Sequence, residues 1–145
     1  MESSLFIDTG AFIALLNADD DLHEEATAFY RSVKPATRRT TTQAVVGECY
    51  TFFRYHVGRA AAAQWLDYLD GARGLGHLHV FYSDEDDGRR AEDILRRFSD
   101  QALSYIDSLT LAAAQRYNVR AIFGFDHHLA LTGLPLLPGT RTRRR

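Results

Sequence analysis

The stretch Leu5-Phe6-Ile7-Asp8-Thr9-Gly10-Ala11-Phe12-Ile13-Ala14-Leu15-Leu16 decides how this chain is read. Leu5 to Ile7 is a short apolar run, the pattern of a buried strand. It ends on a carboxylate, Thr9-Gly10 makes the turn, and Ala11 to Leu16 continues as an apolar helix. Asp8 therefore stands where strand passes into helix, flanked by core residues on both sides. A charged carboxylate loses hydration when buried, so it needs a cap, a cation or a proton there.

Working outward, strands and helices alternate. Asp21 is placed to cap a helix over 22–33, with Ala26, Phe29, Tyr30 and Val33 inward, and Lys34-Pro35 stops it. The β-branched run 39–42 predicts a second strand. A helix from Gln43 to about Val57 follows, ended by Gly58. Another spans 60–72 and buries Ala62, Leu66 and Leu69. Residues 77–82 alternate like a strand. Ser83 or Asp84 caps a helix reaching Phe98, and Ser104 caps a helix over 105–117. Strands are expected at 119–123 and 134–137. This alternation predicts an α/β fold with a mainly parallel sheet. There are no internal repeats and no linker, so residues 1–140 are expected to form one domain, with 141–145 a flexible basic tail.

Composition narrows the class. The chain has 145 residues, 46% hydrophobic and 12% aromatic, enough for a globular core. Its single cysteine, Cys49, excludes an intrachain disulfide and fits a reducing cytoplasm. Set in an apolar helix beside Glu48, it reads as a packed thiol and not a nucleophile. The start, Met-Glu-Ser-Ser, has no basic n-region, and no apolar run reaches the roughly 18 residues of a span, so neither signal peptide nor membrane helix is expected. Net charge is -2, yet Lys34 is the only lysine among 17 basic residues. Arginine's planar fork suits phosphate; a GC-rich genome would also account for the bias.

Three more carboxylates share Asp8's predicament. Glu48 lies among Val45, Val46, Phe52 and Phe53, Asp107 among Leu103, Ile106 and Leu111, and Asp126 after the run 119–125. Each has a bland reading. Asp8 would cap the first helix, Asp107 would complete a capping box with Ser104, Asp126 would cap the His127 to Leu131 turn, and Glu48 would sit on a half-exposed helix edge. A hard divalent cation explains all four at once, since it takes oxygen ligands and offsets their repulsion. Asp100 is either a fifth site acid or a loop residue. Asp19 to Asp21 and Asp84 to Asp87 read as surface. His127-His128 does not complete a zinc set, because neighbouring histidines are expected to diverge and no cysteine joins them.

In order, Phe6-Ile-Asp-Thr-Gly-Ala-Phe12, the segment from Thr42 to Glu48, Leu103-Ser-Tyr-Ile-Asp-Ser108 and Ile122-Phe-Gly-Phe-Asp-His-His-Leu129 resemble PIN-domain ribonucleases, especially VapC-type toxins of VapBC toxin–antitoxin pairs. Asp21-x-His23-x-x-Ala26 is similar to the start of the family's second helix. The resemblance implies a PIN-like three-layer α/β/α fold with a mainly parallel twisted sheet. It implies that Asp8, Glu48, Asp107 and Asp126 hold Mg²⁺ or Mn²⁺, one ion or two, for hydrolysis of RNA, with Thr9 orienting the first acid or binding solvent. It also implies a homodimer and an antitoxin partner. One departure is Gly124, where the family often has Thr or Ser. Arg39, Arg54 and Arg59 are candidates for lining an RNA groove. Two other readings remain open: a different metal-dependent phosphohydrolase, and a non-catalytic PIN-like scaffold binding RNA or protein.

Overall fold

The computed structural model describes residues 3–139; the basic tail lies outside the described residues. Five strands form one sheet: β1 (Ser4–Ile7), β2 (Arg38–Thr42), β3 (His79–Phe81), β4 (Ala121–Gly124) and β5 (Leu136–Pro138). Their order is β3-β2-β1-β4-β5, and every pairing is parallel. Leu5, Phe6 and Ile7 are all buried although successive side chains point to opposite faces. Both faces of the central strand are therefore covered, which is why its sequence is continuously apolar and does not alternate.

Six α-helices supply that cover: α1 (Thr9–Leu16), α2 (His23–Ser32), α3 (Gln43–Phe52), α4 (Arg59–Gly74), α5 (Glu85–Arg97) and α6 (Tyr105–Arg116). On one face Phe123 of β4 meets Phe29 edge-on at 4.7 Å. Elsewhere Phe81 of β3 stacks on Tyr117, just past α6, at 3.7 Å. The α/β/α architecture is thus as the sequence pattern and the resemblance imply. The core joins Phe12, Trp65 and Leu69 from the helices to Phe6, Ile122 and Phe123 from the sheet. Cys49 is fully buried within it.

Several local expectations need correction. Asp20, not Asp21, receives the Leu22 amide at 2.9 Å before α2. The helix expected from Gln43 to Val57 changes winding at Phe53 and finishes as a π-helical turn, Phe53–Val57, ended by Gly58 at φ 146°. Leu66 is exposed; Trp65 takes the inward position on α4, its indole N–H donating to Val46 O at 3.1 Å. Asp87 is buried, unlike its acidic neighbours. It closes a capping box with Asp84 and accepts from Arg116 at 2.8 Å.

The chain leaves β1 toward β2 and β3 on one side of the sheet, and later fills β4 and β5 on the other. The order thus reverses between β1 and β4, and the crevice beyond the carboxyl ends of such strands is where open α/β sheets bind ligands.

Candidate active site

Asp8 is the residue immediately beyond β1 and Asp126 lies two residues beyond β4, so both stand at this crevice. The Asp8 amide continues the ladder, donating to Phe123 O at 3.0 Å. Its side chain is almost wholly buried, makes no side-chain capping hydrogen bond to α1, and leaves Oδ1 without a partner. No capping hydrogen bond of good geometry closes, although the first-turn amides of Thr9 and Gly10 act on the carboxylate. Burial pushes the Asp8 carboxyl up to about 7, and the charges of Asp107 and Glu48 push the same way against the amides of Thr9 and Gly10.

Glu48 reaches this region from α3, whose start is fixed by Thr42 Oγ1 accepting from the Val45 amide at 3.3 Å. Thr42 ends β2, so α3 also begins at the carboxyl end of the sheet. Thr9 Oγ1 donates to Glu48 Oε1 at 2.5 Å. The hydroxyl thus orients the second acid, where the resemblance implies that it orients the first or binds solvent. Cys49 beside it is a core thiol raised first by burial and then by Asp8 and Glu48.

Asp107 realises its bland reading and is perturbed as well. Ser104 Oγ accepts from the Asp107 amide at 3.0 Å, and the Ser104 amide donates back to Asp107 Oδ2 at 3.3 Å. Burial nevertheless raises the Asp107 carboxyl, with Asp126 adding to the rise and the Ser104 bonds and His128 opposing it. Asp126 likewise caps the 3₁₀ turn His127–Ala130, accepting the His128 amide at 3.0 Å. The electrostatic couplings are pairwise, from Glu48 and Asp107 to Asp8 and from Asp126 to Asp107, while among the described residues the ligand atoms that lie within 4.8 Å of one another as a group belong to Asp126, His127 and His128. Asp100 lies exposed in the turn between α5 and α6.

The sequence pattern assigns His128 no role. Its Nδ1 lies 2.8 Å from Asp126 Oδ1, which holds the carboxylate in place. The only signal for it is its position two residues after an acid that begins a turn. The rings of His127 and His128 do not diverge: their centroids are 4.0 Å apart, and their ligand atoms and an Asp126 oxygen all lie within 4.8 Å of one another. Gly124 lies tight against Asp8. A Cβ there would meet Leu129 Cδ1 at 3.1 Å and Asp8 Cβ at 3.4 Å, so the missing side chain is what lets the acid pack against β4.

Glu48 also forms part of the wall of an open, mostly apolar cavity of about 670 Å³, with Gly47, Phe52, His56 and Ile106 around it. The His56 ring stacks on Phe52 at 4.7 Å, an arrangement set by the π-helical turn. Arg54 lies on that turn and Arg59 opens α4. Arg39 does not share this end. It pairs in register with Leu5 near the start of the strands, away from Asp8.

The family model described as the PIN domain matches residues 5–133. The chain belongs to the PIN domain family. This PIN domain is 26% identical over 130 residues to the 23S rRNA-specific endonuclease VapC20 of Mycobacterium tuberculosis, covering 89% of this chain and 94% of that one. The crystal structure of that protein, described as a sarcin-ricin loop cleaving toxin, superimposes with a TM-score of 0.78 at 25% identity, over 90% and 95% of the two chains. The FitAcB structure from Neisseria gonorrhoeae has the same fold, with a TM-score of 0.67 at 13% identity over 91% and 95%. So does a toxin–antitoxin complex from Klebsiella pneumoniae, at 0.63 and 16% over 93% and 96%.

Proposed function

We propose that this PIN domain is a divalent-metal-dependent endoribonuclease, the toxin of a toxin–antitoxin pair working in the cytoplasm. The observation that carries the reading is Asp8: a buried carboxylate with an unpartnered oxygen, raised to about 7 and coupled to two further acids at the switch point of the sheet. An apolar neighbour would serve the core better there, so the carboxylate is retained for something that binds it. Similarity to VapC20 makes structured ribosomal RNA the first substrate to try.

The donor set fits Mg²⁺ or Mn²⁺, with Asp8, Glu48, Asp107 and Asp126 as holders, because all four offer hard oxygens and Asp8 has one to spare. When bound, the ion supplies positive charge against the phosphodiester and makes a water more acidic. The chain's own residues do the rest. Thr9 fixes the Glu48 carboxylate, and His128 fixes that of Asp126. Glu48 stands at the apolar cavity, where an entering RNA strand would bring a phosphate beside the acids.

Partners follow from surface and likeness. Tyr50, Tyr55, Val57 and Leu66 leave apolar area exposed on α3, its π-helical end and α4, which suits a homodimer. The complexes with the same fold support a cognate antitoxin. The decisive experiment incubates purified protein with structured rRNA fragments and unstructured RNA, with Mn²⁺ or with EDTA. Cleavage that needs Mn²⁺ and disappears in Asp8→Asn supports the reading. Hydrolysis of duplex DNA or a small phosphate ester in preference would make it a different phosphohydrolase, and RNA binding without cleavage would make it a scaffold.

A further inference from the structure

The opposite end of the sheet carries a second concentration of charge, and it is basic. A cavity of about 560 Å³ opens where β2 and β3 begin, lined by Arg38, Arg39, Arg73, His77, His79 and Tyr30 among others. Arg38 pairs in register with Ser4, three residues before the end of β1, so the cavity lies at the other end of the strands from Asp8. Its volume falls within the roughly 300–1,000 Å³ of small-molecule sites.

The groups that line it are underused. Arg39 lies over the Tyr30 ring at 5.2 Å and donates from Nη1 to Thr37 O at 2.8 Å, while its buried Nε has no acceptor. Among the described residues Arg73 Nη2 meets only Asp70, an exposed neighbour on its own helix, at 3.2 Å. Among the described residues no carboxylate pairs with Arg38 or Arg39. The end of α4 turns toward this cavity, and α2 ends near it, so a cation is useful to offset each helix dipole. Arg73 in the last turn of α4 and Arg31 in that of α2 already meet that need. Arg38 and Arg39 belong to β2 and exceed it.

A second cavity of about 560 Å³ shares Arg38 and His79 with the first. Its mixed lining includes Phe81 and Tyr117, which stack on each other, and the well-exposed Tyr82. Guanidinium forks match phosphate oxygens two at a time, and exposed rings stack on bases whatever their sequence. We propose that these adjoining cavities form a nucleotide site running along β3, phosphate on Arg38, Arg39 and Arg73 where the strands start, and base toward Tyr82 just beyond the carboxyl end of β3. The nucleotide is either free or a unit of an RNA chain; the recognised chemistry is the same. The site does not depend on the ribonuclease reading and would bind with the acidic end inactivated.

The test is calorimetric titration in EDTA with ADP, with inorganic pyrophosphate and with a short single-stranded RNA. Proteins are the wild type, Arg38→Ala, Arg38→Ala/Arg73→Ala and Asp8→Asn, each checked for fold by circular dichroism. Binding of ADP weakened about tenfold by Arg38→Ala, further by the double variant, and unchanged in Asp8→Asn supports the site. Tyr82→Ala should weaken ADP but not pyrophosphate. Stronger binding of RNA than ADP, with the same dependence on Arg38, names RNA as the source; binding of ADP alone names a free nucleotide. No binding at millimolar ligand, or binding indifferent to Arg38 and Arg73 in folded variants, overturns the proposal. Equal binding of ADP and pyrophosphate, unaffected by Tyr82→Ala, overturns its base-stacking half.

Discussion

Replacing Asp8 with Asn should make the metal-free protein more stable while removing its proposed activity. The Asp8 carboxyl rises from 3.8 to about 7 on folding, mainly through burial. At pH values between these two the unfolded chain has lost the proton and the folded chain keeps it. The folded state then binds more protons, so stability falls as pH rises across that window and the loss is complete above about pH 7. Roughly three units at about 1.36 kcal/mol each give a penalty of order 4 kcal/mol at pH 8. Asn removes the charge but leaves a buried amide, and an unsatisfied polar group costs about 1–3 kcal/mol. The net gain is about 2 kcal/mol, which for a chain of this size is on the order of 6 °C in Tm. Thermal melts in EDTA should show Asp8→Asn above wild type at pH 8, with the difference shrinking toward pH 4. An Asn variant that melts lower than wild type at pH 8, or a difference that does not change with pH, would refute the reasoning. It would mean that Asp8 is a stabilising helix cap after all.

Millimolar Mn²⁺ should raise the wild-type Tm at pH 8 by mass action, about 2.7 kcal/mol at a hundredfold excess over Kd, and leave Asp8→Asn nearly unmoved; melting curves check it. Thr9→Val should keep the fold but free Glu48, lowering RNA cleavage while changing Tm little, and Thr9→Ser should restore most activity; a cleavage time course decides. Gly124→Thr should press on Leu129 and Asp8, costing about 1–3 kcal/mol as overpacking does; denaturant melts with EDTA measure it. Sedimentation at micromolar concentration should give a dimer, and Tyr55→Ser with Leu66→Ser should shift it toward monomer.

The sequence carried the fold because burial on both faces writes itself into composition. Leu5-Phe6-Ile7 and Ala121-Ile-Phe-Gly124 cannot be surface strands, and the helices between them set a parallel sheet. The four acids were also legible one by one, since each interrupts an apolar stretch. Their bland and functional readings were not separable there. The structure divides them differently: Asp107 and Asp126 cap helical turns and are coupled into the acid group as well, whereas Asp8 has no side-chain cap.

What the sequence by itself determined is the set of elements and the acids at their ends, because periodicity and hydration are local properties of the chain. Only the tertiary structure decided where Thr9 points, since its hydroxyl finds Glu48 39 residues away. It alone put Gly124 against Asp8, through the parallel pairing of β1 with β4. It likewise carried Arg39 to the far end of the sheet and gathered it with Arg38 and Arg73 around one cavity. Strand order and register are global choices made by packing, and no stretch of residues states them in advance.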